Sequence, residues 1–270
     1  MAKDTFEHMN TIHHENPVIS SRENAVFKKI FSLQTSKGIK ENGVFLAGGE
    51  KIINEILRDN RKLVTAWIRA PDMPKIPRFL VTGAKHVILS KERFNEINLI
   101  GTSGPLLELH LPEIKHFSAD KAWPLGCSLF IPFGDPENVG SVIRSAVGMG
   151  ISRVILLSEA ACPFLPRSVR ASAGSILRIR LEYGPSLTKI SSLPMKVPLY
   201  SLDMRGKHLA EVTWPRNFGL IAGMEGKGLP ADIKVKWNTV SIPLENGLES
   251  LNAAAAVSLA LWDWKIKKNK

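Results

Sequence analysis

Three stretches in the second half of the chain carry polar residues at spacings that suit shared chemistry. The first runs from Ile131 to Gly148 and holds Asn138, Ser141, Arg144 and Ser145. At helical spacing, Val139, Val142, Ile143, Ala146 and Val147 fall on one side, and Asn138, Ser141, Arg144, Ser145 and Gly148 on the other. One face packs; the other is small and polar. Taken structurally, Asn138 is an N-cap and Arg144 sits with the serines on a solvated face. Two glycines and two serines around one arginine are poor helix material, however, and would let another surface approach closely. The second stretch is Gly223-Met-Glu225-Gly-Lys-Gly228, and the third is Ser250-Leu251-Asn252.

Several common chemistries find no support. The glycines around Glu225 do not make a phosphate loop, because Ile221 stands where the first glycine belongs and Gly228 follows Lys227. No Gly-x-Gly-x-x-Gly follows a first strand, and no Gly-x-Ser-x-Gly nucleophile elbow occurs. Cys127 and Cys162 are far apart and the seven histidines are scattered, so both thiols are expected reduced and no metal is expected.

The elements that must position these residues read as an α/β fold. After residue 126 strand-like runs recur near 128–133, 153–157, 177–181, 197–202, 218–222 and 239–242, with helical stretches between most of them. That alternation predicts a mostly parallel sheet covered on both faces. Ligands of such sheets sit at the carboxyl ends of the strands, which is where the loops after 218–222 and 239–244 fall; ordinary turn-forming strand ends would look the same. A closing helix starts from about Ser250, and its lysine-rich tail, Lys265 to Lys270, complements the helix dipole or touches RNA.

The first half reads as a smaller α/β unit. Residues 1–20 look like a structureless leader. A helix follows Asn24, a strand ends at the Gly48-Gly49 pair, a helix carries Ile52, Ile53, Ile56 and Leu57, and a strand spans 63–68. Further strands are predicted at 79–81, 87–89 and 106–111, so this unit is placed at 21–111, a polar linker at 112–126 and the second domain at 127–270. The smaller unit holds no concentrated catalytic set; substrate recognition and a structural cap both fit it.

With 44% hydrophobic residues in 270, the chain can bury a real core. Its formal charge of +11 favours a polyanionic partner such as nucleic acid or an anionic membrane surface. No run of eighteen apolar residues is present and the first twenty residues carry Asp4, Glu7 and Glu15, so neither a membrane span nor a secretory signal is expected and a cytoplasmic location is.

Taken together and in order, Asn138 with Arg144 six residues on, Gly223-Met-Glu225-Gly-x-Gly228, and Ser250-Leu251-Asn252 resemble the SpoU (TrmH-type) branch of the SPOUT RNA methyltransferases over residues 127 to 265. Residues 24–110 also look like the ribosomal-protein-like substrate-binding domain often fused ahead of it, notably in Phe45 to Glu50; Gly101-Thr-Ser-Gly104 departs from that pattern. The resemblance implies a deep trefoil knot, an exception to the rule that chains do not thread loops. It also implies S-adenosylmethionine as cofactor, an obligate homodimer and methyl transfer to a ribose 2'-hydroxyl, in ribosomal RNA ahead of transfer RNA. Carried over by position, Gly223, Ile242 and Leu251 contact the cofactor with Leu202 and Leu244 as neighbours, while Asn138, Arg144, Glu225, Ser250 and Asn252 form the polar catalytic set.

Those residue types suit the reaction. A ribose oxygen, a methyl group and a sulfonium must be held in line and a proton lost, and alignment supplies much of the acceleration. A guanidinium stays protonated, so Arg144 is better suited to binding the adjacent phosphate and stabilising the developing alkoxide than to acting as a base. Glu225 is better suited to fixing Asn138 and its loop than to taking a hydroxyl proton. Arg167, Arg170, Arg178 and Arg180 are candidates for phosphate contact or for plain solvation. A different class of reading, an RNA-binding protein on the same scaffold without turnover, has no need of the whole polar set.

Overall fold

A computed structural model of the chain describes residues 16–80, 82–223, 229 and 237–268, and its apolar runs build two sheets. The first has five strands: β1 (Val18–Ile19), β2 (Val44–Gly48), β3 (Val64–Arg69), β4 (Lys85–Leu89) and β5 (Leu106–His110). Their order is β1-β4-β3-β5-β2; β1, β4 and β3 run parallel, and β5 is antiparallel to both β3 and β2. Around them lie α1 (Ala25–Ser32), α2 (Ser36–Asn42), α3 (Glu50–Asp59) and α4 (Lys91–Ile97). Asn24 does cap α1, its side-chain oxygen accepting from the backbone N–H of Val26 and Phe27.

The second sheet is wholly parallel. It contains β6 (Lys115–His116), β7 (Gly126–Ile131), β8 (Arg153–Leu156), β9 (Arg180–Tyr183), β10 (Leu199–His208), β11 (Asn217–Ile221) and β12 (Asn238–Ser241), in the order β12-β10-β11-β7-β8-β9-β6. The central strand β7 is buried along its whole length, as a strand covered on both faces must be. Its helices are α5 (Pro136–Met149), α6 (Pro166–Ser172), α7 (Leu187–Ile190) and α8 (Ala253–Lys268). Buried residues of both sheets share one hydrophobic cluster, and a second, with Phe130, Ile155, Leu199 and Ile221, belongs to the second sheet alone. Across the junction α6 packs on β2, the rings of Phe45 and Phe164 lie 4.8 Å apart, and Arg178 reaches Glu55 at 3.1 Å.

Several expected boundaries move. Residues 1–15 lie outside the described residues, but Val18–Ile19, within the stretch expected as leader, forms the edge strand β1. The run at 79–81 is not a strand: Arg78–Leu80 is a 3-10 turn following Pro77, and residue 81 lies outside the described residues. The strand expected near 177–181 lies later, at Arg180–Tyr183. Ala173 and Gly174 turn the chain through left-handed conformations, Ser175–Leu177 forms a 3-10 turn, and the strand starts only at Arg180, opposite Arg153. Within the stretch read as a linker, Lys115–His116 adds β6 to the second sheet, and Trp123 and Phe117 cover the buried Arg153 guanidinium at 4.7 and 5.5 Å. Arg153 donates to Ser128 Oγ at 2.8 Å and faces Glu182 at 3.5 Å; burial pulls its pKa down against the pull of Glu182.

Candidate functional site

Two helix starts bring the distant motifs together. Asp135, not Asn138, is the N-cap of α5: its carboxylate accepts from Glu137 N–H, and Pro136 takes the first helical position, where its missing N–H costs nothing. Asn138 therefore sits inside the first turn. The closing helix begins at Ala253 rather than Ser250, because Asn252 is its cap: Oδ1 accepts from the N–H of Ala254 at 2.9 Å and Ala255 at 3.2 Å. With Oδ1 so engaged, Nδ2 points away and donates to Asn138 Oδ1 at 2.9 Å. Residues 114 positions apart are thus joined by one hydrogen bond.

The helices themselves account for part of the small face of α5. Ser258 Oγ on α8 donates to Ser145 Oγ at 2.7 Å, and at Gly140 a Cβ would stand 2.2 Å from Ser168 O on α6. Val139, Val142, Ile143 and Ala146 are buried as the periodicity requires, and Arg144 is exposed.

Beneath the Asn138–Asn252 bond, at the carboxyl ends of the strands, lies a cavity of about 520 Å³. Leu202 (β10), Ala222 and Gly223 (after β11), and Val240, Ile242 and Leu244 (β12 and beyond) give it an apolar wall; Ser250, Leu251 and Asn252 close one side. All five residues expected around the cofactor (Leu202, Gly223, Ile242, Leu244 and Leu251) line it, as do Asn138, Ser250 and Asn252 of the expected polar set. Arg144 does not line it, and Glu225 lies outside the described residues.

Sequence reasoning missed the acidic members Asp135, Asp203 and Glu249. The position of Asp135 and Asp203 just past β7 and in β10 was the available signal. Among the described residues these three carboxylates line the cavity and no lysine or arginine does, while Asp203 also faces the Arg205 guanidinium at 3.6 Å. Asp203 is ordered by accepting from Arg205 N–H at 3.1 Å.

The shape of the cavity depends on β10. Both Leu202 and Lys207 register with Val240, so residues 203–206 stand out of the ladder and carry Asp203 and Met204 into the cavity wall. Gly206 permits this: a Cβ there would lie 2.4 Å from the Thr239 carbonyl carbon and 2.5 Å from Val240 N. Its own carbonyl accepts from Ser241 Oγ at 2.9 Å.

Residues 130–262, which hold this cavity and both helix starts, match the SpoU rRNA Methylase family. That segment belongs to the family. Over 91% of its length the chain is 38% identical to a Syntrophobacter fumaroxidans protein named ribosomal RNA small subunit methyltransferase G 2, but it spans only 48% of that relative. It is 28% identical to the 23S rRNA (guanosine(2553)-2'-O)-methyltransferase RlmP of Bacillus subtilis, with 90% of this chain and 97% of that one covered. Among solved structures, the SpoU methyltransferase AviRb of Streptomyces viridochromogenes in complex with AdoMet superposes with a TM-score of 0.77 at 22% identity, covering 92% of this chain and 99% of that one. The AdoMet-bound rRNA methyltransferase of Sinorhizobium meliloti gives 0.75 at 21%, covering 93% and 97%. These two share the fold of both sheets. Among the described residues no helix is long and apolar enough to cross a membrane, and no three metal-binding side chains cluster.

Proposed function

We propose that this chain transfers a methyl group from S-adenosylmethionine to a ribose 2'-hydroxyl of RNA, ribosomal RNA ahead of transfer RNA. The observation that carries the reading is the acidic-and-apolar cavity at the strand ends, with the Asn138–Asn252 bond at its rim. Two family relatives named for ribosomal RNA 2'-O-methylation, from Bacillus subtilis and Acinetobacter baylyi, support the substrate class.

The lining fits the cofactor. An apolar wall suits an adenine ring, and Asp135, Asp203 and Glu249 suit a ligand bearing sulfonium and ammonium charges. S-adenosylmethionine supplies an activated methyl carbon, which passes from sulfur to the ribose oxygen and leaves S-adenosylhomocysteine and a proton. Leu202, Gly223, Ile242, Leu244 and Leu251 hold the cofactor and exclude water. Asn138, Ser250 and Asn252 fix the rim at which the ribose presents itself. Arg144, exposed on α5 six residues beyond Asn138, has five N–H donors and no acceptor. It binds the phosphate beside the target ribose and stabilises the developing alkoxide, and that phosphate helps remove the proton.

The same reading includes a deep trefoil knot, a first sheet that serves as a ribosomal-protein-like RNA-binding domain, a homodimer and a cytoplasmic location. The exposed apolar stripe Leu259, Trp262 and Ile266 on α8 supports the second copy.

The test is transfer of labelled methyl to total ribosomal and transfer RNA, each from cells lacking the protein, followed by nucleoside analysis. A 2'-O-methylated nucleoside is expected from the ribosomal pool. Arg144→Ala is expected to abolish transfer with cofactor binding intact; a fully active variant removes Arg144 from the mechanism. Absence of cofactor binding in the unaltered protein moves the reading to a non-catalytic RNA-binding scaffold.

A further inference from the structure

The first sheet carries an exposed aromatic ring set among unneutralised cations. Phe79 is 55% exposed, on the 3-10 turn Arg78–Leu80 that leads towards β4. The Arg61 guanidinium lies 5.7 Å from its ring centroid, on the 3-10 turn Arg61–Leu63 that leads into β3. Because β3 and β4 are parallel neighbours, both turns lie at the same edge of the sheet, and Lys85 opens β4 opposite Ala66. Arg61, Lys62, Arg78 and Lys85 are all exposed, and among the described residues none is paired with a carboxylate. The nearby acids in sequence are already engaged, Asp59 by Arg58 at 2.7 Å and Asp72 by Lys91 at 3.0 Å.

A solvent-exposed phenylalanine beside a guanidinium, on a sheet end that carries further exposed cations, is the arrangement that binds unpaired nucleic acid: the ring stacks a base and the cations take the flanking phosphates. A second hollow of the same sheet, around Phe27 and Phe31, lacks this character. Its cations Arg22 and Lys28 are neutralised by Glu96 and Glu23.

The geometry points to Phe79 and Arg61 as a stacking platform for a single-stranded segment of the RNA substrate, with Arg78, Lys62 and Lys85 contacting its phosphates. The inference rests on RNA being the substrate, and it locates a contact on the first sheet, separate from the cavity of the second.

The probe is a short single-stranded RNA containing 2-aminopurine, with its duplex as control, bound to the full chain. Stacking on Phe79 quenches the probe's fluorescence. Phe79→Ala is expected to weaken single-strand binding about 5- to 150-fold and remove the quench. Phe79→Tyr retains both and Phe79→Leu loses both, since leucine keeps the apolar bulk without the ring. Arg61→Ala with Arg78→Ala is expected to reduce the slope of log affinity against log salt by about 0.7 for each phosphate that the variant no longer neutralises. Affinity unchanged in Phe79→Ala and Phe79→Leu, or tighter binding of the duplex than of the single strand, overturns the proposal and leaves this edge to a protein partner. S-adenosylmethionine binding, measured on every variant, is expected unchanged. Loss of the platform with methyl transfer still detectable, and loss of methyl transfer with stacking intact, separate failure of this inference from failure of the proposed reaction.

Discussion

Replacing Asn252 by aspartate separates two jobs that one side chain performs. Its Oδ1 caps α8 through two backbone N–H groups, and its Nδ2 holds Asn138. Alanine removes both. The missing cap costs about 1 kcal/mol and the missing Asn138 bond about another 1, with the exposed position favouring the lower end, so Asn252→Ala is expected to cost about 1 to 2 kcal/mol in all. Aspartate keeps the cap and adds a negative charge at the helix N-terminus, worth about 0.3 to 1 kcal/mol. It has no N–H for Asn138, however, and sets oxygen against oxygen. Asn252→Asp is therefore expected within about 0.5 kcal/mol of the unaltered protein in urea unfolding while methyl transfer falls at least about tenfold, the cost of about 1.4 kcal/mol at the transition state. Urea midpoints and kcat/KM on one preparation read both effects. Equal instability of the aspartate and alanine variants refutes the cap; full activity of Asn252→Asp refutes a catalytic need for the Asn138 bond.

Gly140→Ala is expected to destabilise by about 1 to 3 kcal/mol in urea unfolding although alanine is the better helix former, because the new methyl meets the backbone of α6 at 2.2 Å. Burial pushes the Cys127 thiol well above the usual range, so the unfolded chain loses this proton first as pH rises. Stability is then full below about pH 8.5 and falls above it by up to about 1.4 kcal/mol per pH unit; urea midpoints of Cys127→Ala are expected to show a shallower alkaline fall. If the proposed dimer forms through the exposed stripe of α8, Trp262→Glu places a charge in it and is expected to convert that dimer to a single chain in sedimentation equilibrium.

Much of the second sheet was legible because its strands are covered on both faces and so read as unbroken apolar runs; β7 and β11 fell within two residues of their expected places. The two-residue strands β1 and β6 have no periodicity to read and exist only through their partners β4 and β9. Short strand-like runs misled where a turn intervened, as at the apolar triplet from Phe79 after Pro77 and the alternating run from Leu177 after Gly174. The cavity's cofactor-side residues were found from a motif resemblance. Its acids were not, because Asp203 reaches the wall only through a displacement of β10 that follows from its pairing with β12. Asn138 was misplaced by one cap, since Asp135-Pro136 starts the helix three residues earlier.

The hydrogen bond from Asn252 back to Asn138 closes a loop of more than a hundred residues, and the cavity joins the start of α5 to the loops after β10, β11 and β12. Closing so long a loop is entropically costly before any contact rewards it, so folds built this way assemble slowly. During refolding, circular dichroism is therefore expected to recover before ligand binding does, and the lag between the two signals would time the completion of the site.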